Sequence, residues 1–216
     1  MTGKRTYGQA CGVAHAMDLL GERWAVLIVR DLMLGPKRFS DVQAGLPAAG
    51  PNVLTQRLRD LEAAGIVRRR TLPPPAGSKV YELTEWGAEL EPIISRLGLW
   101  GSRSPVVPVS GDYPPDSLML SLRYCFEADD DPGWNAVYDI RLGREQFTAT
   151  VAAGRLEQVV RDHPRTGPDT VIATDPLTLS EVMAGRRDVR EAVDEARITL
   201  DGDAEAGFRL LAAARR

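Results

Sequence analysis

GPNVLTQRLRDLEAAGIVRRR, residues 50–70 of a 216-residue chain, sets a leucine stripe and a polar stripe between a proline and a glycine, and ends on three consecutive arginines. Pro51 suits the first turn of a helix, where the amide it lacks would have no helical partner. At about 100° per residue, Leu54, Leu58 and Leu61 fall within one narrow arc, and Gly65 supplies a stop. Asn52, Gln56, Arg59 and Ala63 lie on the opposite side, with Thr55 flanking them. The outward face of this predicted helix therefore carries amides, a hydroxyl and a guanidinium in its N-terminal turns. Asn or Gln can bond an adenine edge through two hydrogen bonds, Arg a guanine edge, and Thr a phosphate or a thymine methyl. The same residues would equally form the solvated side of an ordinary amphipathic helix, so the neighbouring sequence has to decide.

Upstream, Val13, Met17 and Leu20, then Trp24, Leu27, Ile28 and Leu32, repeat at helical spacing and predict two helices broken at Gly21. Gly35-Pro36 stops the second, and FSDVQAGL predicts a short helix with Ser40 as its N-cap and Phe39 packing at its entrance. Downstream, residues 66–72 and 79–83 are predicted strands rich in β-branched residues, joined by a Pro/Gly loop. Three helices and a hairpin make a winged helix, whose wing can bring Lys79 or Arg68 to Arg70 near phosphates. Such contacts position a protein on DNA without reading sequence. An arginine run also discourages unwanted strand pairing, which explains it without DNA.

Residues 11–101 resemble the HxlR-type winged helix-turn-helix regulators through Cys11, GERWAVLIVRDL, GPKRFSDV, LTQRLRDLEAAGIVRR and YELTEWG, in that order. The resemblance implies a bacterial transcriptional regulator, expected to act as a repressor, that binds double-stranded DNA as a homodimer. The candidate DNA-binding residues are Arg38, Ser40, Asn52, Thr55, Gln56, Arg57, Arg59, Arg69 and Lys79. The family's dimers use the N-terminal helix and the helix after the wing, here residues 84–100, which nominates Val13, Met17, Leu90, Ile94, Leu97 and Trp100. A core role explains the apolar spacing of those residues equally well. In some similar regulators the cysteine ahead of the first helix reacts with oxidants or electrophiles, and Cys11 occupies that place. Lys4, Arg5 and His15 would lower its pKa. The preferred reading is a small buried hydrophobe at the dimer interface, where burial would raise it.

Charge divides the chain. Residues 1–104 hold 14 Lys and Arg against 10 Asp and Glu, a net +4, whereas the remainder holds 13 against 20, a net −7. Between the halves, GSRSPVVPVSGDYPPDS at 101–117 carries four prolines and no helical period, as a semi-extended connector does. Beyond it, DSLMLSLRYCFE, WNAVYDIRLG, EQFTATVAAG, RLEQVVRD and DTVIATD are predicted strands. They are followed by two predicted helices, the strand RITLDGD and a last helix. An antiparallel sheet with helices on one face is the expected architecture. The order resembles the sterol-carrier-protein-like fold, through Thr174-Asp175-Pro176 before a helix, Gly185 ending it, and Leu200 to Asp203 before the final helix. Such domains enclose an apolar tunnel, which by resemblance makes this half a ligand sensor. Candidate lining residues are Leu120, Leu122, Tyr124, Tyr138, Phe147, Met183, Phe208 and Leu211, although core packing explains each of them too.

Other classes find little support. Cys11 and Cys125 form no CxxC pair, and with His15 and His163 they do not make a metal site. No P-loop, GxGxxG, GxSxG or HExxH occurs, so neither catalysis nor a cofactor is expected. No apolar run approaches the roughly 18 residues of a membrane span and no secretory signal is evident, so a cytoplasmic protein is expected. The sequence thus reads as an α+β chain: a winged helix-turn-helix DNA-binding and dimerisation domain over 1–104, a Pro-rich linker at 105–117 and a sterol-carrier-protein-like domain over 118–216. The expected function is regulation from an inverted-repeat operator, modulated by an apolar small molecule or lipid. Two alternatives stay open: a thiol-based redox regulator acting through Cys11, and a lipid-binding protein whose winged helix does not bind DNA.

Overall fold

The computed structural model describes residues 6–73, 77–106, 111–161 and 167–214, which fall into two compact units, Met1–Gly101 and Ser102–Arg216. Lys4, Arg5, His163 and part of the Pro-rich connector lie outside the described residues.

In the first unit, α1 (Gly12–Leu20) and α2 (Ala25–Leu32) flank Gly21, and α3 (Phe39–Gly45) leads into α4 (Pro51–Ala63). Leu54, Leu58 and Leu61 of α4 are buried in one cluster with Ile28, Val29 and Leu32 of α2, Val42 of α3, and Ile66 and Val67. The predicted arc is therefore the packed face, and α4 is held by it. Gly65 turns the chain at φ +72 into β1 (Val67–Thr71), which pairs antiparallel with β2 (Lys79–Leu83). Reciprocal bonds between Lys37 and Tyr81, at 2.9 and 2.8 Å, tie the segment before α3 to the wing. Nearby, the buried Asp31 carboxylate receives Arg30 at 2.7 Å and lies 3.9 Å from the buried Lys37 ammonium.

Two predictions are corrected here. Ser40 does not cap α3: Arg38 is the N-cap, its backbone N–H donating to Asp41 Oδ2 at 3.1 Å. Asp41 thus serves the first turn from inside the helix, so the helix starts two residues earlier than the serine suggests. Nor is 84–100 one helix; it divides into α5 (Glu85–Ala88) and α6 (Glu91–Ser102). Thr84 caps α5, accepting from Gly87 N at 2.9 Å while donating to Gly65 O at 2.7 Å. Gly87 is required at this junction, because a Cβ there would collide with the Ile66 carbonyl.

The second unit holds α7 (Pro115–Cys125), β3 (Ala136–Leu142), β4 (Glu145–Ala152), β5 (Arg155–Val160), β6 (Thr170–Thr174), α8 (Pro176–Met183), α9 (Val189–Asp194), β7 (Ile198–Gly202) and α10 (Ala204–Ala213). DSLMLSLRYCFE is thus mostly helix, not a strand. Its Leu118-Leu120-Leu122 alternation imitates a strand, but α7 contains no β-branched residue and begins on Pro115 at N1. The semi-extended connector accordingly ends before Pro115 rather than at residue 117. The sheet is mixed, not antiparallel: its order is β5-β4-β3-β6-β7, and β3 and β6 run parallel at its centre. Tyr138, Ile140, Phe147, Ala149, Val159 and Ile172 form its buried apolar face, packed with Leu118 to Leu120 and Leu122 of α7, Leu179 and Met183 of α8, and Leu210 and Leu211 of α10 in this unit's core. On the other face Arg141, Gln158, Thr199 and Asp201 are exposed.

Candidate nucleic-acid interface

Burial of the leucine stripe turns the opposite side of α4 outward. Asn52, Gln56, Arg59 and Ala63 are exposed and Thr55 is half-buried on the flank. Val53, which sequence reasoning missed, is 44 % exposed in the first turn. Its signal was available: it lies about 100° from Leu54, off the apolar arc. A valine methyl on this face suits contact with a thymine methyl.

The polar groups differ in how committed they are. Gln56 Nε2 donates to Asp60 Oδ1 at 2.8 Å, and Arg57 Nη1 donates to Asp60 Oδ2 at 2.7 Å. Arg57 also reaches Glu22 Oε2 at 3.4 Å, so it braces the α1–α2 turn against α4. Ser40 is exposed on α3 and its hydroxyl donates to Asp41 Oδ1 at 3.1 Å. Among the described residues, no ion pair engages Arg38, Arg59 or Lys79, all of them exposed.

The arginine run divides by strand alternation. Arg68 and Arg70 share one face of β1 and both bind Glu82, at 2.8 Å each. Burial acts to raise the Glu82 carboxyl, but hydrogen bonds and charge from Arg70 and Arg68 outweigh it and hold the group below its ordinary range. Arg69 points the other way, over the Tyr81 ring at 5.2 Å and 3.3 Å from Glu62. Three adjacent arginines are thus paired within the chain, a fact the run itself did not reveal.

The apolar residues nominated for dimerisation separate into two groups. Val13 and Met17 on α1 are exposed, as are Leu97 and Trp100 on α6, where Ile93 completes a stripe at i, i+4 and i+7. Leu90 and Ile94 instead pack against the core of their own unit.

Cys11 precedes α1 as its N-cap and is exposed in the single chain, so the expected burial at a dimer interface would have to come from the partner copy. The backbone N–H groups of Ala14 and Val13 hold the thiol below its ordinary pKa, against a smaller desolvation effect.

In the second unit, Leu120, Leu122, Tyr138, Phe147, Met183 and Leu211 are buried in the core and Tyr124 is half-buried. Of the eight nominated lining residues, only Phe208 borders the open cleft of about 660 Å³ formed also by Trp134, Asp169, Arg190, Asp203, Glu205 and Arg209. Arg190 lies 4.4 Å over the Phe208 ring and Arg209 4.3 Å over the Trp134 ring. Arg209 is committed to Asp129 at 2.5 Å and Asp131 at 2.9 Å, whereas among the described residues Arg190 pairs with Glu205 alone, at 3.9 Å. Among the described residues, no group of three or more His, Cys, Asp and Glu could hold a metal ion. Also among them, no helix is long and apolar enough to cross a membrane.

A helix pair with an outward polar stripe, followed by a two-stranded wing, defines a winged helix-turn-helix module. Residues 19–105 match the family described as HxlR-like helix-turn-helix. The chain is 39% identical over 87 residues to the uncharacterized HTH-type transcriptional regulator YvaP of Bacillus subtilis, spanning 40% of this chain and 81% of that protein. It is 38% identical over 88 residues to the HTH-type transcriptional regulator YodB of the same organism, spanning 41% and 79%. Similar solved structures include the reduced form of YodB, at 34% identity, 45% of this chain, 97% of that one and a TM-score of 0.40. The redox regulator HypR in its oxidized form is another, at 34% identity, 45% and 100% coverage and a TM-score of 0.42. The chain belongs to the HxlR family of HTH-type transcriptional regulators.

The Cys11 geometry generates a prediction. Alkylation by iodoacetamide, followed peptide by peptide, should show Cys11 reacting at neutral pH faster than an ordinary exposed thiol, with its rate midpoint below about 8.5. A midpoint at or above that value would contradict the assignment of the Ala14 and Val13 amides as thiolate donors.

Proposed function

We propose that the protein is a homodimeric regulator that inserts two copies of α4 into successive major grooves of an inverted-repeat operator. The observation that carries this reading is the exposed face of Asn52, Val53, Gln56 and Arg59 opposite a fully packed leucine stripe. Half-sites would then lie about 34 Å apart, one helical turn. The exposed stripe of Ile93, Leu97 and Trp100, with Val13 and Met17, supports pairing of two copies through α1 and α6, because contiguous exposed apolar surface favours a partner. Repression follows where the operator overlaps a promoter.

In this reading Arg59 reads a base edge and Lys79 binds phosphate, and the two roles separate experimentally. Arg59→Ala should cost about 1–3 kcal/mol on a selected operator and relax preference at one base pair. Lys79→Ala should weaken operator and unrelated DNA alike and lower the salt slope by about 1. Equal losses on both DNAs for Arg59→Ala would sink the base-reading role; binding titrations over a salt series provide the test.

The second unit we read as a sterol-carrier-protein-like effector domain. Support comes from the order of its elements, with Asp175 capping α8 and Asp203 capping α10. The charged rim of its cleft changes the expected ligand from purely apolar to amphipathic, a ring or chain for Trp134 and Phe208 with a polar end. An effector acts only if it favours one dimer geometry over another. Mass spectrometry of a solvent extract of the purified chain should show a stoichiometric amphipathic molecule that releases or recruits operator DNA. The second reading, a thiol switch, is favoured by one observation, the exposed Cys11 with its lowered pKa. An empty extract together with an oxidant response lost in Cys11→Ser would establish it instead.

A further inference from the structure

Gln56 is not free to present its amide either way round. Its Nε2 donates to Asp60 Oδ1 at 2.8 Å, one turn further along α4 and about 40° around the helix. An ionised carboxylate only accepts, so it dictates which end of the amide faces it. The reversed amide would set oxygen against oxygen and leave both without a donor. Asp60 is itself held: its second oxygen takes Arg57 Nη1 at 2.7 Å, and Arg57 is braced against Glu22 at 3.4 Å. The fixed point therefore runs from the α1–α2 turn, through Arg57 and Asp60, to the amide of Gln56.

We infer that Asp60 is a specificity-determining positioning residue, which locks the Gln56 amide so that its remaining N–H and its free oxygen together read an adenine edge. The inference rests on the reading that α4 enters the major groove. A side-chain amide nitrogen carries two hydrogens, and Asp60 takes one. The other is left to donate to adenine N7, while the oxygen accepts from the adenine N6 amino group. The same carboxylate carries a negative charge on a face turned towards phosphates, which lowers affinity for every DNA sequence. Asp60 thus contributes to discrimination while opposing general binding, the pattern expected of a residue that excludes wrong partners. Neither effect was read from the sequence, although the spacings Gln56 to Asp60 and Arg57 to Asp60 are those at which helical side chains meet.

The test uses the full chain as wild type, Asp60→Ala and Asp60→Asn. Each is used to select bound duplexes from a random pool, and affinities are then measured for the selected site, its single-base-pair variants and unrelated DNA. Wild type should prefer an A·T pair at one position of each half-site by about 5- to 100-fold. In Asp60→Ala that preference should fall to about twofold or less, while affinity for unrelated DNA stays equal or rises. Asp60→Asn, whose single amide oxygen cannot replace both of the carboxylate oxygens that accept from Gln56 and Arg57, should also lose most of the preference and gain affinity for unrelated DNA. In a Gln56→Ala background, removing Asp60 should leave base preferences unchanged, which a merely structural role for Asp60 would not produce. Full discrimination in a folded Asp60→Ala protein, or loss of preference at many positions at once, overturns the inference while leaving DNA reading intact. A wild-type chain that enriches no motif overturns base reading by α4, and this inference with it.

Discussion

Packing of Leu54, Leu58 and Leu61 of α4 into the cluster with Ile28, Val29 and Leu32 is the constraint on which the first unit depends. Each fully buried leucine contributes about 1.5–3 kcal/mol relative to exposure, far more than any surface polar group on the same helix. Rotating α4 by a third of a turn would expose these residues and bury Arg59 or Gln56 without partners. The polar face is therefore outward because the apolar one cannot be, and its orientation does not depend on DNA being present. The wing is fixed from the same cluster through Ile66 and Val67, and from the other side through the Lys37–Tyr81 bonds.

Charge on this framework is distributed by pairing more than by number. The run Arg68-Arg69-Arg70 reads as a strongly basic wing, yet Glu82 and Glu62 pair with all three. Arg57 is similarly occupied by Asp60 and Glu22. Glu82 is buried, but the guanidinium groups of Arg68, Arg69 and Arg70 are themselves exposed, so phosphates can still compete for them. Even so, Arg38, Arg59 and Lys79, which no ion pair engages among the described residues, are the cations of the candidate interface that a polyanion would reach without displacing an internal carboxylate. On the proposed reading, a protein arranged in this way would discriminate among sequences at the expense of general affinity.

The helix that carries the polar face was legible because proline, leucine spacing and glycine agree along one short segment. The wing strands were legible through their β-branched residues. What was not legible depended on partners distant in sequence or on local competition. Alternation of Leu118, Leu120 and Leu122 fits both a strand and a buried helix, and what separates them is the lack of β-branched residues in α7 and Pro115 at its start. Parallel pairing of β3 with β6 is decided by a crossover that no local pattern encodes. Of the nominated dimer residues, Leu90 just before α6 and Ile94 within it proved inward-facing, whereas Leu97 and Trp100 lie on the exposed stripe of that helix. The tunnel in the second unit was expected from the resemblance, and its lining residues were nominated for being apolar, a property that equally marks the core. Its cleft instead lies where Trp134 and Phe208 meet charged residues.

The central claim, that α4 lies in the major groove in two symmetric copies, is tested most directly by tethered cleavage. A chain bearing Cys11→Ser, Cys125→Ser and Ala63→Cys, with an iron chelate attached at the exposed position 63, would be bound to a selected operator and the DNA cleavage mapped. Cleavage should fall in two compact major-groove clusters about 34 Å apart, related by the symmetry of the site. Bound DNA that is cleaved diffusely, at a single cluster, or from the minor-groove side would contradict it.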